Sequence, residues 1–338
     1  MINKIKNFLS PILLLYGMIF YLIFKKNTII GHQSMIRSYI LTNGLSNNFF
    51  TKIISIFQKK KIFENDKIFF SNNLDASLDK KNIIKELNLN GYAIPEIKLS
   101  NKDINHLINF SKNNKGGYKN ANNDLVEMEF KDFDFSNTTF NYDENILLEN
   151  SLIKKLSINR DFLDIAQNYF SSIPIISGIN MWWSIPSKNI DSEAGQMFHF
   201  DMDRIKFLKF FIYLTDVDKL NGPHCYVAGT HRPNKKKKLL NRGYVRISDN
   251  EIKNNYSKSK IKEIISNAGT IIIGDTSCFH KGLPPLSTKR LILEIEYSNS
   301  LFGSDTTQIF NPTKKLLKKD KIYQPLIELN SDIVKRYC

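Results

Sequence analysis

Apolar positions recur at helical intervals in the first half of the chain and crowd into short β-rich runs in the second. Residues 79–89 (DKKNIIKELNL) space Ile83, Ile84, Leu87 and Leu89 as one helix face. Asn90-Gly91 then stops the pattern before the strand-like Tyr92-Ala93-Ile94. Ser100 or Asn101 caps a second predicted helix that runs through Phe110, and the Asn- and Gly-rich run 113–124 predicts a loop. A third helical pattern covers 151–171 and ends before Pro174. From Ile175 onward, IISGINMWWSI (175–185), FLKFFIYLT (207–215), TIIIGD (270–275) and LILEIEY (291–297) predict strands. No helical crossover repeats between them. The order therefore predicts an α+β fold whose strands form a sandwich or jelly roll, not a parallel sheet.

The amino terminus follows a different pattern. The first acidic residue is Glu64, and it is preceded by Lys4, Lys6, Lys25, Lys26, Arg37, Lys52, Lys59, Lys60 and Lys61. Residues 8–24 (FLSPILLLYGMIFYLIF) carry no charge; as a helix they would reach roughly 25 Å, just short of a bilayer core. They are read as a membrane anchor, with a core-packing helix broken near Pro11 and Gly17 as the alternative. Residues 49–61 (FFTKIISIFQKKK) predict an amphipathic helix for an anionic membrane surface. No small-residue cleavage site follows, which speaks against a removed signal peptide. The expected location is cytoplasmic, at the cytoplasmic face of a membrane.

The chain's 338 residues, 42% hydrophobic and 24% charged, suit one large globular unit. The formal net charge of +15 invites a nucleic-acid reading. No recognition motif accompanies it, so nucleic acid is excluded as a partner. Three cysteines without a CxxC pair argue against a disulfide framework or zinc knuckle and for a reducing compartment.

Candidate chemistry lies in the β-rich half. In GQMFHFDMD (195–203), strand alternation turns His199 and Asp201 to one face and Phe198, Phe200 and Met202 to the other. Joined by the distant His280 in IIIGDTSCFHKGLPP, they would form a three-ligand site with open positions, as non-haem iron(II) uses. Arg290, ten residues later, is suited to the far carboxylate of a dicarboxylate, because a guanidinium fork pairs with it in bidentate fashion. Glu294 and Glu296 share the strand parity of Arg290. Either the interior is polar there or a bulge shifts the register. A zinc hydrolase with the same triad, and a jelly-roll binding module that no longer uses metal, remain open alternatives.

The ordered series His199-x-Asp201, FFIYLTDVDKLNGPHCYVAGTHRP (210–233), GDTSCFHKGLPP and Arg290 resembles the phytanoyl-CoA dioxygenase family over about residues 78–300. The resemblance implies a double-stranded β-helix (jelly roll, cupin-like) core with flanking N-terminal helices. It also implies Fe(II) as cofactor, with 2-oxoglutarate and O2 as cosubstrates and succinate and carbon dioxide as products. It assigns the metal to His199, Asp201 and His280 and the 2-oxoglutarate C5 carboxylate to Arg290. Related halogenases carry a small residue in place of the carboxylate, so Asp201 favours hydroxylation. Two departures stand out: Gly282 where some members have a hydroxyl residue, and Ala228 in place of the usual proline before Gly229-Thr230-His231.

Trp182, Arg204, Tyr213, His224 and His231 are expected to meet a small-molecule or lipid-like substrate, and Lys235 to Lys238 open an insertion reaching about Asn267 that reads as a solvated loop or as a lid drawing an anionic substrate. The expected division is a basic N-terminal segment over 1–75, the oxygenase domain over 76–312 and a basic tail over 313–338.

Overall fold

In the computed structural model, which describes residues 2–58, 79–120, 124–133, 137–186, 195–240, 242–304 and 335, helices begin where short polar side chains cap them. Counting from the amino terminus, α1 spans Ile2–Phe24, α2 Ile29–Leu41, α3 Leu45–Phe57, α4 Lys80–Asn90 and α5 Asn101–Asn113. The Asp79 carboxylate accepts from the Asn82 amide to start α4, and Gly91 ends it at φ +83°. Ser100 caps α5. The single helix expected over 151–171 is two. The Asn159 side chain accepts from the Asp161 and Phe162 amides, so a new cap separates α7 (Ser151–Ser157) from α8 (Arg160–Phe170); α6 covers Glu144–Glu149.

Among the described residues there are eleven strands: β1 Tyr92–Ala93, β2 Gly116–Lys119, β3 Leu125–Met128, β4 Thr139–Asn141, β5 Ile175–Ser184, β6 Phe207–Tyr213, β7 His224–Val227, β8 Ile261–Ile264, β9 Ile271–Gly274, β10 His280–Gly282 and β11 Arg290–Ser298. Eight form one antiparallel sheet in the order β1-β9-β6-β11-β5-β4-β2-β3, and β10-β7-β8 form a second. The run 113–124, expected to be a loop, contains β2, and its glycines are the reason. A Cβ on Gly116 or Gly117 would drive into the backbone of Asn141 or Val126, so only glycine lets β2 lie between β4 and β3.

Alternation along β11 sorts the layers. Leu291, Leu293 and Ile295 pack outward in the largest cluster, against Ile83 and Leu87 of α4, Leu107 of α5 and Phe162 of α8. Ile292 points inward with Phe211, Tyr213, Tyr226, Ile264 and Ile272, between the two sheets. The far side of β7 (Cys225, Val227) meets Phe198, Phe200 and Met202 and the N-terminal helices through Leu14, Met35 and Tyr39. Each fully buried Leu, Ile or Phe contributes about 1.5–3 kcal/mol, so most stabilisation lies on the outer faces. The space between the sheets also takes in polar groups, among them Arg290, Glu294 and Glu296.

The anchor expected over 8–24 takes another form. Among the described residues no helix is long and apolar enough to cross a membrane. Instead α1 runs unbroken through Pro11 and Gly17 and lays Ser10, Leu14 and Gly17 against the protein. A Cβ on Gly17 would come within 2.6 Å of the Gly31 Cα, so the α1–α2 crossing requires small residues. His32 Nε2 lies 2.9 Å from the Met202 carbonyl, and Asn47 Nδ2 donates to the Ile205 carbonyl at 2.9 Å. Of the amphipathic helix expected over 49–61, α3 covers the part to Phe57; residues 59–61 lie outside the described residues.

The insertion after Lys235 is also no solvated loop as far as Asn267. It holds two short helices, α9 (Lys237–Leu240) and α10 (Asp249–Asn255), and then β8, a strand of the second sheet. Lys236 is only 2% exposed; its Nζ donates to Tyr39 Oη at 2.6 Å and to the Ser277 carbonyl, with the Phe200 ring 4.6 Å away.

Candidate active site

The segment 198–203 runs beside β10. His199 and His280 exchange backbone hydrogen bonds, N–H to carbonyl at 3.0 and 2.8 Å, and stand directly opposite one another. The Asp201 amide donates to the Thr276 carbonyl at 2.8 Å and extends the pairing. Alternation then sends Phe198, Phe200 and Met202 into the cluster behind, as the sequence predicts, and turns His199 and Asp201 toward His280. One ligand-capable atom from each of these three residues lies within 4.8 Å of the others.

The donor atoms are already aimed. His199 Nδ1 is 2.8 Å from the Met197 carbonyl and His280 Nδ1 3.1 Å from the Cys278 carbonyl; a carbonyl only accepts, so both Nδ1 atoms carry the proton. Each Nε2 lone pair faces Asp201, at 3.6 Å from Oδ1 and Oδ2 respectively. Burial, aided by the charge of His280, pushes His199 down to about 3, and burial likewise lowers His280. Both imidazoles are neutral at pH 7, the form that binds a metal. Burial would raise Asp201, but Lys209, 2.9 Å away, outweighs it together with the two histidines and holds the carboxyl well below the usual carboxylate range.

Lys209 is the part of the site that sequence reasoning left unplaced. On β6 it pairs with Glu296 of β11, and its Nζ reaches Asp203 at 3.5 Å, Glu296 at 3.6 Å and Glu294 at 4.0 Å besides Asp201. This resolves the parity of β11. The register shift falls after Glu296, too late to turn either glutamate outward, so the interior is polar. Asn180 donates to Glu294 at 3.0 Å and Ser177 to Glu296 at 2.6 Å. Burial, with Glu296 adding to it against Lys209, pushes Glu294 up to about 7. The signal that could have found Lys209 was a lone cation on an inward position of a strand paired with a strand reading Glu-x-Glu.

Arg290 opens β11 from the same inner face. It is 4% exposed, and Nη2 donates to Ser184 Oγ at 2.9 Å, while Nε and Nη1 are buried without a partner. Burial pulls its guanidinium down to about 10. A Cβ on Gly282 would touch Arg290 Nη2 at 3.4 Å. Gly282 follows His280 by two residues, so this contact lies about 6.6 Å along β10 from the triad on the same strand face. An unpaired buried cation needs an anion, and three neutral or anionic donors facing one point need a cation. These residues thus fit a divalent metal together with a dicarboxylate.

Of the five residues expected to meet substrate, Trp182 and Tyr213 belong to the interior cluster and His224 adjoins them, its ring 4.4 Å from Phe211 and 5.8 Å from Tyr213. Trp183 faces the opposite way, against Phe130. The Tyr213 hydroxyl is committed to the protein, donating to the Ile264 carbonyl at 3.1 Å and accepting from the His224 amide at 3.0 Å. Arg204 does not reach the cleft. It is fully buried, and its Nη1 donates to the Ser304 and Asp203 carbonyls. His231 also points elsewhere, with Nδ1 at 3.4 Å from Cys278 Sγ. The opening over His199 is a cleft of about 370 Å³ walled by Phe200, Tyr244, Val245 and Arg246. Ile247 holds that wall in place through its amide, 2.8 Å from the Phe198 carbonyl.

A search of curated proteins returned no match. Among solved structures, the chain is similar to the nickel- and 2-oxoglutarate-bound HygX from Streptomyces hygroscopicus, at 12% identity, TM-score 0.48, 68% of this chain and 92% of that one. It is also similar to the non-heme alpha ketoglutarate dependent epimerase SnoN from nogalamycin biosynthesis, at 13% identity, TM-score 0.44, 65% of this chain and 82% of that one. The family model of phytanoyl-CoA dioxygenase matches residues 87–291, more than half of the sequence, including His199, Asp201, Lys209, His280 and Arg290. The chain belongs to the phytanoyl-CoA dioxygenase family.

Proposed function

We propose that the protein is an Fe(II)- and 2-oxoglutarate-dependent dioxygenase that hydroxylates a small-molecule or lipid-like substrate while 2-oxoglutarate is decarboxylated to succinate. His199, Asp201 and His280 would hold the iron, and Arg290 the far carboxylate of 2-oxoglutarate. The observation that carries this reading is Arg290. A triad alone suits any divalent metal, but a buried guanidinium with two unpaired nitrogens on the face of the triad calls for an anionic cosubstrate.

Bound there, the iron would supply the activation of O2 that no side chain performs. The chain's own groups do the rest. The Met197 and Cys278 carbonyls hold the imidazoles in the Nδ1–H tautomer, and Lys209 keeps Asp201 ionised at every working pH. Ser184 orients Arg290. Gly282 leaves the approach to Arg290 open, and the wall Tyr244–Val245–Arg246 narrows the cleft over His199.

The reading is tested by adding Fe(II) and 2-oxoglutarate under anaerobic conditions. The weak visible absorption band of a chelated cosubstrate should appear in the wild type and be lost in His280→Ala. Zinc-supported hydrolysis without O2 or 2-oxoglutarate, or the absence of both the band and succinate formation on admitting air, would sink it.

A further inference from the structure

Exposed apolar side chains are concentrated in one stretch of the chain. Among the described residues, fifteen of the twenty-two exposed large hydrophobic side chains lie between Leu9 and Phe57. On α1 the stripe Leu9, Ile12, Tyr16, Ile19 and Ile23 advances by three and four residues, which is one helix face. On α3, Leu45, Phe49, Lys52 and Ile56 form a second such face. A helix packed on a globular body ordinarily turns its polar side outward. Here α1 turns Ser10, Leu14 and Gly17 inward and Ile12 (62% exposed) and Ile23 (65%) outward. An exposed apolar surface of this extent marks an interaction site.

The charges identify its occupant. Residues 1–63 contain nine lysines and arginines and no acidic residue. Lys25, Lys26 and Lys52 are exposed, at the end of α1 and within the α3 stripe. Apolar stripes bordered by cations and free of carboxylates complement an anionic lipid surface, where aliphatic groups enter the acyl boundary and ammonium groups stay among the headgroups. We infer that α1 and α3 form a seat that lies in the interface of an anionic bilayer without crossing it.

The seat adjoins the cleft. The ring of Phe200, next to the ligand-capable His199, stacks on Tyr39 of α2 at 5.8 Å and meets Tyr244 of the cleft wall edge-on at 5.1 Å. Tyr244 and Val245 are themselves exposed, and Arg246 beside them makes no hydrogen bond or ion pair with any described residue. A seated molecule would thus bring an apolar, cationic cleft mouth close to the lipid. Seating is independent of the chemistry proposed for the cleft; only its consequence, a substrate taken from the lipid phase, rests on that reading.

The test is cosedimentation of the full chain with phosphatidylcholine vesicles, with and without phosphatidylglycerol. The chain should pellet with the anionic vesicles at least roughly tenfold more strongly than with the neutral ones. It should be only partly released when the salt rises from about 0.1 M to about 1 M, which shortens the screening length from about 10 to about 3 Å. Ile12→Glu combined with Phe49→Glu should lower the partition at least tenfold and leave the anaerobic absorption band intact. Leu286→Glu, an exposed apolar site elsewhere, should change nothing. Equal binding to neutral vesicles, no pelleting, or an unaffected double variant would overturn the seat. So would a dimer, seen by sedimentation velocity without lipid binding, that Ile12→Glu dissociates; the occupant would then be a second copy. Pelleting without any absorption band would retain the seat and reject the chemistry.

Discussion

Arg290→Met separates a cosubstrate receptor from a structural arginine, because the two predict opposite signs. In the metal-free protein the buried guanidinium has one hydrogen bond, to Ser184, and burial lowers its pKa from the ordinary arginine value to about 10. At 1.36 kcal/mol per pKa unit this penalty is about 3 kcal/mol, less about 1 kcal/mol for the bond to Ser184 that methionine would lose. The unfolded chain binds the proton more tightly, so the penalty is present in full at pH 7 and fades only as pH rises above about 10. Arg290→Met should therefore raise stability by about 2 kcal/mol, a thermal midpoint higher by a few degrees. With 2-oxoglutarate the order should invert. Two charged hydrogen bonds are worth about 3–6 kcal/mol, so the variant's Kd should rise by about 10²–10⁴. With metal present throughout, 2-oxoglutarate at a hundred times the wild-type Kd should stabilise the wild type by about 2.7 kcal/mol and the variant by at most about 0.4 kcal/mol. Differential scanning fluorimetry with and without the ligands reads both effects. A variant that is less stable than wild type and still binds 2-oxoglutarate would refute the argument.

Lys209→Met leaves Asp201, Asp203, Glu294 and Glu296 without their shared cation and should cost about 3–5 kcal/mol in urea melts at pH 7; adding Glu296→Gln should restore part of it, and a loss below about 1 kcal/mol would contradict the placement of this charge. Burial, against the pull of Asp275, lowers His231 to about 4, so the unfolded chain takes up the proton first and stability should fall by about 2–3 kcal/mol between pH 6.5 and 4. His231→Phe should flatten that slope, and equal slopes in the two proteins would disprove the assignment. Gly91→Ala would place a methyl group against Cys278 Sγ and His231 at a positive φ, so it should destabilise by more than about 2 kcal/mol and weaken metal binding through the segment that carries His280; calorimetry and metal titration check the two effects.

Much of this was legible along the chain because it depends on neighbours in sequence. The start of α4 at Asp79, its end at Gly91 and the cap at Ser100 are local hydrogen-bond and φ requirements. Strand alternation alone separated His199 and Asp201 from Phe198, Phe200 and Met202, and the ordered motif around His280 and Arg290 pointed to the family. Local signals also misled where glycine permits what it does not demand: the Gly-rich run became β2 by pairing with β3, the strand that follows it, and with β4.

What the tertiary structure decided were matters of desolvation and distance. Hydropathy shows that residues 8–24 are apolar, but only packing shows that α1 lays Gly17 against Gly31 and turns Ile12, Ile19 and Ile23 outward. A lysine run shows charge, and only the fold buries Lys236 beneath Tyr39 while leaving Lys235 exposed. Arg204 and Arg290 are equally basic in the sequence. Backbone carbonyls at Ser304 and Asp203 hold the first away from the cleft, while the second opens β11 on the inner face, bonded to the Ser184 hydroxyl. A side chain's type can be read from sequence; the partners that remain to it once water is removed are set by segments a hundred residues away.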